Sequence, residues 1–339
     1  MKKISILLVI LLIATCGCGK VDVGKVKEDF ESKVTKTKSY QLNGTMEIIN
    51  NEDKFLYTVE ASFLKDDFYK VRLVNQTNNH EQIILKNEEG VYVVTPKLNK
   101  SFKFQSEWPN NSSQSYLLAS LLQDIKNDNN SSLEEDDNNY IIKTSVNYPN
   151  NSELVYEKIY FDKEVNLQRV EVYNNDDSLK IKVNVKSLDL KAGLEKEDFV
   201  LEDLVNNCDE ESCKIEEKTG SLDEAIYPLY IPSETYLTSK DVLDTDKGER
   251  VILTYSGNKN FVLVEEIASS SKDFEIIPVY GDPLLLNDSV AALQSNSLYW
   301  TSNNVEYYLA GNDLSNEELL SIATSLTNAD IVTSGTIEK

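Results

Sequence analysis

Histidine, cysteine and glycine are scarce in this chain. Its 339 residues include 1 histidine, 4 cysteines, 12 glycines and 7 prolines. With the single histidine, His80, and no free cysteine near a base, the usual nucleophile–base pairs of hydrolases cannot be assembled. Gly-x-Ser-x-Gly, phosphate-loop and dinucleotide-binding motifs are also missing from the sequence. This inventory argues against an enzyme, and no cofactor is expected.

Positive charge is also in short supply. Lysines and arginines number 34 against 57 aspartates and glutamates, so the net charge is -23 at pH 7. A body this acidic is repelled by nucleic acids and by anionic lipid headgroups. Nucleic acid is therefore excluded as a partner, and surface charge cannot supply membrane attachment.

The sequence lacks long apolar runs, and the apolar run at its N-terminus is a short one. Lys2 and Lys3 precede the apolar run Ile4–Ile13, and the small residues of Ala14–Cys18 close it. The run is shorter than the ~20 residues that cross a bilayer as a permanent helix. It predicts a secretory signal over residues 1–17.

This segment resembles the signal peptides of bacterial lipoproteins, in which a cysteine after a small residue is acylated and becomes the first mature residue. Cys18 follows Gly17 and fits, whereas Cys16 follows Thr15 and fits poorly. The alternative is an ordinary cleaved signal with incidental cysteines. The resemblance implies that Cys18 carries acyl chains such as palmitate, which anchor the chain at the extracytoplasmic face of the cell membrane.

The chain after the signal has enough apolar residues for a core and is long enough for two domains. Val23, Val26, Phe30 and Val34 recur at three- and four-residue steps and predict an amphipathic helix over residues 21–37. A second helix is predicted over residues 116–125. Residues 127–139, which are polar and acidic, are expected to form a loop.

Between the two helices and after the second, short runs with period-two alternation predict an antiparallel meander. The runs are 55–64, 68–74, 82–86, 91–95, 101–105, 140–148, 154–161, 167–173 and 179–188. The last is the clearest, since Leu179, Ile181 and Val183 alternate with lysines and asparagine. The predicted fold class is α+β, with residues 18–205 forming a curved antiparallel half-barrel whose concave side holds the helices.

A polar, acidic linker at 206–220 is the expected domain boundary, and it contains Cys208 and Cys213. With four residues between them in an exported chain, these cysteines favour a disulfide that closes a small loop. Free thiols are the alternative. Zinc is disfavoured because the intervening residues offer only hard oxygen ligands.

Residues 221–335 are expected to form a smaller α+β module. Strands are predicted at 251–255, 260–267, 275–279, 298–301 and 305–310, with a hairpin turn at Ser256–Lys259. Ser315 and Glu318 have the spacing of a capping box at the start of a helix over 315–326.

Two polar features invite a chemical interpretation. His80 precedes Glu81, which could in principle orient it, but a histidine in a turn is more often solvated. The acidic run Glu134–Asp137 lacks the ligand order and glycine of a calcium loop, so a solvated charge run is expected. No metal site is predicted.

An aromatic and aliphatic cluster is the strongest candidate for a binding site. It comprises Phe102, Phe104, Trp108, Tyr116, Leu117 and Leu118. These side chains either pack the second helix onto the sheet or line a pocket for an acyl chain or a partner's hydrophobic segment.

The block Val91–Pro109, extended by His80–Asn87 and Asn110–Leu118, resembles the central part of LolA-like lipoproteins of spore-forming Firmicutes. The resemblance covers about residues 21–204. The tail, Val305–Ala310 with Leu314–Leu326, is similar to a small C-terminal module found on such proteins and on anti-sigma-type envelope proteins.

The resemblance implies an incomplete antiparallel barrel with helices in its hollow, where Gram-negative relatives carry lipoprotein acyl chains. This chain carries its own anchor and an extra module, so a fixed binding role is expected rather than shuttling. One hypothesis is a membrane-tethered lipoprotein that binds a lipid or lipoprotein acyl chain in sporulation or germination. The other is a regulator of a cortex hydrolase or envelope signalling protein, because germination lipoproteins of the GerS type bind a cortex amidase.

Overall fold

The structure is a computed structural model that describes residues 22–51, 53–206, 222, 225–245, 248–270 and 273–334, the side chains of 205–206 and 327–334 excepted. Cys18, Cys208 and Cys213 lie outside these residues, as does most of the expected linker. The predictions of acylation and of a disulfide therefore stay predictions. No helix in the described ranges has the length and apolar content needed to cross a bilayer.

The described helices are α1 (Val23–Lys36), α2 (Leu118–Asn127), α3 (Asp203–Asn206) and α4 (Asn316–Ser334), with 3-10 turns at Pro96–Leu98 and Lys196–Phe199. The apolar stripe of α1 faces the core, where Val26 and Phe30 are buried. Helix α2 begins at Leu118 rather than at Tyr116 as predicted.

The strands alternate with polar turns along most of the chain. They are β1 (Ser39–Asn50), β2 (Asp53–Leu64), β3 (Phe68–Asn75), β4 (Glu81–Asn87), β5 (Gly90–Thr95), β6 (Lys100–Phe104), β7 (Ser132–Glu135), β8 (Asn139–Ser145), β9 (Leu154–Asp162), β10 (Leu167–Asn174), β11 (Leu179–Asp189), β12 (Thr235–Thr245), β13 (Gly248–Gly257), β14 (Phe261–Ile267), β15 (Glu275–Val279), β16 (Asp282–Leu285), β17 (Val290–Gln294), β18 (Ser297–Ser302) and β19 (Val305–Ala310).

These strands form two sheets. The large sheet has 12 strands in the order β15-β6-β5-β4-β3-β2-β1-β11-β10-β9-β8-β7, and the small sheet has 7 in the order β12-β13-β14-β19-β18-β17-β16. Pairing in the large sheet is antiparallel except between β15 and β6, which run parallel. The α+β fold class and the curved antiparallel sheet are confirmed.

The concave face of the large sheet buries α1 and α2. In β11, Ile181 and Val183 are buried while the lysines between them are not, as the alternation predicts. The rings of Phe30 on α1 and Phe161 on β9 lie 4.8 Å apart between centroids. Helix and sheet thus share one continuous hydrophobic core.

The polar segment 127–139 is not a loop throughout, because β7 lies within it. Leu133 and Glu134 pair with Ile142 and Ile141 of β8 in an antiparallel ladder at the sheet edge. Glu134 also lies 3.8 Å from the Lys158 ammonium. Backbone pairing at an edge needs no apolar side chains, so period-two hydrophobicity did not reveal the strand.

The small sheet has its own core beneath α4. Leu319, Ile322 and Ala323 are fully buried against that sheet. The predicted capping box is confirmed, since the Glu318 carboxylate accepts from the Ser315 N–H at 2.8 Å and the Ser315 hydroxyl accepts from the Glu318 N–H at 3.2 Å. Strands β12, β16 and β17 were not predicted.

Strand β15 corrects the expected separation of the two domains. It was predicted as part of the C-terminal module, yet Glu275–Val279 extends the large sheet beside β6. The chain then returns to the small sheet through Gly281, where an added Cβ would lie 1.7 Å from the Leu293 carbonyl oxygen. A residue without a side chain is therefore required at this crossover.

Polar contacts and packing join the C-terminal module to the half-barrel. The Gln82 side chain accepts from the Val290 N–H at 2.5 Å and donates to the Val290 carbonyl at 3.0 Å. Lys100, which is buried, forms an ion pair with the half-buried Glu306. Between them, the Phe102 and Tyr299 rings approach to 4.9 Å between centroids. The two modules are thus connected by backbone pairing, side-chain hydrogen bonds and apolar contact.

Candidate functional site

A cavity of about 930 Å³ lies between the concave side of the large sheet and the C-terminal module. Its volume is at the upper end of the ~300–1,000 Å³ typical of small-molecule sites. Residues of both modules line it, and its lining is apolar in part and polar in part.

The half-barrel supplies a floor of apolar side chains. They come from β1, β4, β9, β11 and the segment before α2, and include Ile48, Ile84, Trp108, Tyr116, Leu154 and Ile181. Alternation along β1 and β11 aims these residues inward, since neighbouring positions on a strand face opposite sides.

The module supplies the opposite wall from α4 and from the run Pro283–Asn287. Helix α4 has two working faces: Leu319, Ile322 and Ala323 pack on its own sheet, while Leu320 and Thr324 line the cavity. Helical periodicity explains the division, because residues one position apart are rotated by about 100°. Leu284, Leu285 and Leu286 add apolar surface.

The rim of the cavity is polar and carries both signs of charge. Lys259 lies 3.3 Å from the Glu318 carboxylate and donates to the Asp313 carbonyl at 2.7 Å. Lys180, Glu153 and serines of the segment 112–115 also border the opening. An apolar floor beneath a polar rim suits an amphiphile, whose chain enters and whose head group stays in water.

The six predicted pocket residues all lie in the core of the half-barrel, and each is at most 9% exposed. Trp108 and Tyr116 also line the cavity. Phe102, Phe104, Leu117 and Leu118 do not border it. Phe102 packs against Tyr299 of the module instead.

Sequence reasoning missed the module's share of the lining. The only signal was the apolar run Leu284–Leu286, which falls between polar turns and was assigned to no element. Leu320 lies in the helix predicted over 315–326. Nothing in the sequence said that this helix would serve two surfaces.

Two acidic side chains are buried beside the cavity wall. Glu157 on β9 is fully buried, and neither of its carboxylate oxygens has a hydrogen-bond partner among the described residues. Asp124 on α2 faces it and is 5% exposed. Burial raises the pKa of both carboxyls, and the neighbouring charge of Asp124 adds to the rise at Glu157.

His80 is not the solvated turn residue that the sequence suggested. Its Nε2 is buried and has no hydrogen-bond partner in the described part of the chain. Burial, reinforced by the charge of Lys97, lowers the pKa of His80 from 6.5 to about 4. Glu81 is engaged by Arg72 at 2.7 Å instead of orienting the histidine. No group of three or more potential metal-ligating side chains occurs within the described ranges.

A family model described as Sporulation protein YdcC-like matches residues 1–199. The chain is also 33% identical to Sporulation protein YdcC of Bacillus subtilis (strain 168) over 327 residues, 94% of each chain. The chain belongs to the YdcC-like sporulation protein family. Membership of this family confirms the resemblance to a sporulation protein and extends it over almost the whole length.

Solved structures give weaker likenesses to this YdcC-like protein. A putative outer membrane lipoprotein-sorting protein domain from Vibrio parahaemolyticus has a TM-score of 0.34 at 13% identity, covering 54% of this chain and 100% of that one. The Pseudomonas aeruginosa MucA/MucB complex has a TM-score of 0.33 at 10% identity, and the match covers 90% of this chain and 97% of that one. The CwlD amidase–GerS lipoprotein complex from Clostridioides difficile has a TM-score of 0.23 at 13% identity, and the match covers 50% of this chain and 95% of that one. At these TM-scores the likenesses carry no argument about ligand or partner.

Proposed function

We propose that this protein is a membrane-anchored, non-enzymatic lipoprotein of the cell envelope that binds a hydrophobic ligand in sporulation or germination. The ligand class is a lipid or a lipoprotein acyl chain. The observation that carries the proposal is the cavity of about 930 Å³ with its apolar floor and polar rim. Its family adds the biological setting.

The anchoring part of the proposal rests on the N-terminus. Cys18 follows Gly17 at the end of a short apolar segment, and acylation there would hold the protein at the extracytoplasmic face of the membrane. The net charge of -23 keeps the folded part away from anionic headgroups. Mass spectrometry of the mature N-terminus tests this directly, because an unmodified Cys18 would refute the anchor.

A regulatory role through a protein partner is the second candidate, and an exposed apolar stretch favours it. Strand β12 is the edge of the small sheet, and Tyr236, Leu237, Val242 and Leu243 on it are exposed. An edge strand with exposed apolar side chains is a template for pairing with another chain. A cell-wall amidase or an envelope signalling protein is the proposed partner class. Pull-down from sporulating cells, compared between wild type and a Leu237→Lys/Leu243→Lys variant, tests it.

Ligand binding is tested with the mature chain carrying Cys18→Ala, so that its own acyl chains cannot fill the cavity. Titration with a fluorescent fatty acid should give saturable binding, and native mass spectrometry should detect copurified lipid. Leu320→Trp fills space in the cavity and should weaken binding at least about tenfold, a loss of about 1.4 kcal/mol.

The matched control is Leu237→Trp, the same substitution on exposed β12, which should bind like the parent protein. Absence of saturable binding at micromolar probe, or equal affinities for the two tryptophan variants, would rule out the cavity as the ligand site.

A further inference from the structure

Glu157 occupies an unusual place for an acid. It lies on β9 in the inward-facing series with Ile159 and Phe161, both fully buried in the core. Its cross-strand neighbours are Val172 of β10 and Thr144 of β8. A carboxylate in such surroundings normally has a cation or several hydrogen-bond donors.

Neither carboxyl of the pair has a cationic partner among the described residues. Both oxygens of Glu157 and Oδ2 of Asp124 are buried without a hydrogen-bond partner in that part of the chain. Lys126, the cation of α2, pairs at 2.6 Å with Glu31 of α1 on the exposed side of the helices. The charge of two ionised carboxyls would therefore be uncompensated in a medium of low dielectric constant.

The remaining polar groups around the pair are hydroxyls, apart from one further acid. Thr144 of β8 donates to the Asp124 carbonyl at 3.2 Å, and Tyr148 lies near both carboxyls. Asp128 at the end of α2 accepts from the Ser145 N–H at 2.8 Å. Ser113, Ser115 and Tyr116 face the same region from the segment before α2. None of these groups neutralises a second negative charge.

The pair is linked to the cavity through the wall segment Ser113–Tyr116. Ser113 lines the cavity, and its side chain lies beside the Asp124 carboxyl. Tyr148 lines the cavity too, next to Glu157. Polar contacts hold the segment: Ser113 and Asn147 exchange hydrogen bonds of 2.7 Å, and the Gln114 N–H donates to the Ser120 hydroxyl at 2.7 Å.

We propose that Asp124 and Glu157 share one proton, that this proton keeps the wall segment Ser113–Tyr116 closed, and that its loss at alkaline pH opens the cavity. Asp124 and Glu157 are neighbours across Thr144, and two carboxyls this close in a buried site cannot both ionise without strong repulsion. One proton shared between them satisfies the orphaned oxygens. When that proton leaves for solvent, repulsion displaces Asp124, and the wall loses the contact through Ser113. Closure of the wall segment follows from the Asp124–Glu157 pair alone. The effect of that closure on a ligand rests on the proposed binding function.

The sign of the pH effect follows from linkage. Burial raises both carboxyl pKa values in the folded protein, so the folded state holds a proton that the unfolded chain has lost. This stability contribution is complete at pH values below the ordinary carboxyl range. It is lost as pH rises through the raised pKa. The pair therefore opposes folding increasingly on the alkaline side.

The test measures acrylamide quenching of Trp108, which borders the cavity, between pH 5.5 and 8.5 in the mature Cys18→Ala chain. Trp300 is 1% exposed in the other core and contributes a constant background. Quenching should rise with pH in the parent protein and stay flat in Glu157→Gln. The unfolding free energy should fall with pH in the parent, and less so in the variant.

Glu171→Gln is the matched control, since Glu171 is a buried acid on β10 that is paired with Arg169 at 3.1 Å. It should keep the parent pH slopes. Asp124→Asn should behave like Glu157→Gln, and it replaces that variant if the latter does not fold. The proposal would be overturned if quenching rose with pH in both pair variants as it does in the parent, or if quenching in the parent did not change with pH.

Uptake of Nile red, an uncharged probe, separates this proposal from the binding function. Faster uptake at pH 8.5 in the parent but not in Glu157→Gln supports both. Uptake at one rate throughout the pH range overturns the gate and leaves the binding function intact. If no probe binds at any pH, the binding function fails, and the quenching slopes decide whether the pair closes the wall.

Discussion

The half-barrel and the C-terminal module complete their cores in different ways. Val279, Val290 and Ala292 of the C-terminal region are buried in the core of the half-barrel. By contrast, every buried residue described in the core of the module comes from position 225 or later, and none comes from the half-barrel. The module thus closes its own sheet with α4 and also fills part of its neighbour. The half-barrel depends on the module more than the reverse.

The same difference explains where the cavity lies. Helix α4 packs Leu319, Ile322, Ala323 and Leu326 into the core of the small sheet, whereas α1 and α2 leave part of the inner face of the large sheet to line the cavity. Space remains at the end near Trp108 and Tyr116, and the module forms its far wall. An incompletely covered sheet is a structural reason for a binding site rather than a defect.

A substitution at the crossover between the two sheets should disturb the dependence of the half-barrel on the module most strongly. Gly281→Ala should cost about 4 kcal/mol or more, because its Cβ would lie 1.7 Å from the Leu293 carbonyl oxygen and β15 or β16 would have to move. Urea unfolding measures the loss. Gly24→Ala in α1, which meets only the flexible Asp22 side chain at 3.2 Å, should be neutral or slightly stabilising. Similar unfolding midpoints for the two variants would contradict the account.

The ion pair between the modules gives a smaller effect. Lys100→Met should cost about 3 kcal/mol, because the half-buried Glu306 loses its cation. Among the described residues it keeps the Tyr299 hydroxyl, which donates at 2.5 Å. The double variant Lys100→Met/Glu306→Gln should recover most of the loss. A double-mutant cycle in urea measures the coupling, and a coupling near zero would show that the pair does not hold the modules together.

The smallest expected effect is confined to the half-barrel and to acid pH. The pKa of His80 is lowered from 6.5 to about 4, so the folded protein resists charging this side chain. The contribution of a neutral His80 to stability is therefore complete above pH 6.5, and the unfolding free energy should fall by about 2 kcal/mol as pH drops toward 4. His80→Gln should flatten that part of the pH profile. An unchanged profile would show that other groups cause the acid loss.

Periodicity carried much of the fold. The stripe of α1 and the alternation of β11 each depend on one buried face, so apolar residues marked them. Strand β7 has one apolar residue, Leu133, and most of β12 is exposed, so neither showed an alternating apolar face. Backbone pairing with β8 and β13 forms these strands, and hydrogen bonding between backbones leaves little trace in side-chain type.

Only part of the candidate site could be predicted from the sequence. Trp108 and Tyr116 stood out because large aromatic residues near a helix start suggest either a core or a pocket, and they serve both here. The sequence did not single out Glu157, since an acid next to Lys158 on a strand looks like an ordinary outward-facing position. Its burial depends on contacts between distant parts of the chain, since α2 packs on β8 and brings Asp124 beside it.

Local pattern determined the helices, most strands, the capping box and the acidic, histidine-poor character that shapes the choice of function. Tertiary structure alone decided that β15 joins the other sheet, that α4 serves two surfaces, and that Asp124 meets Glu157. The physical reason is range. Side-chain periodicity records which face of an element is buried, but the partner on that face is chosen by packing between distant segments.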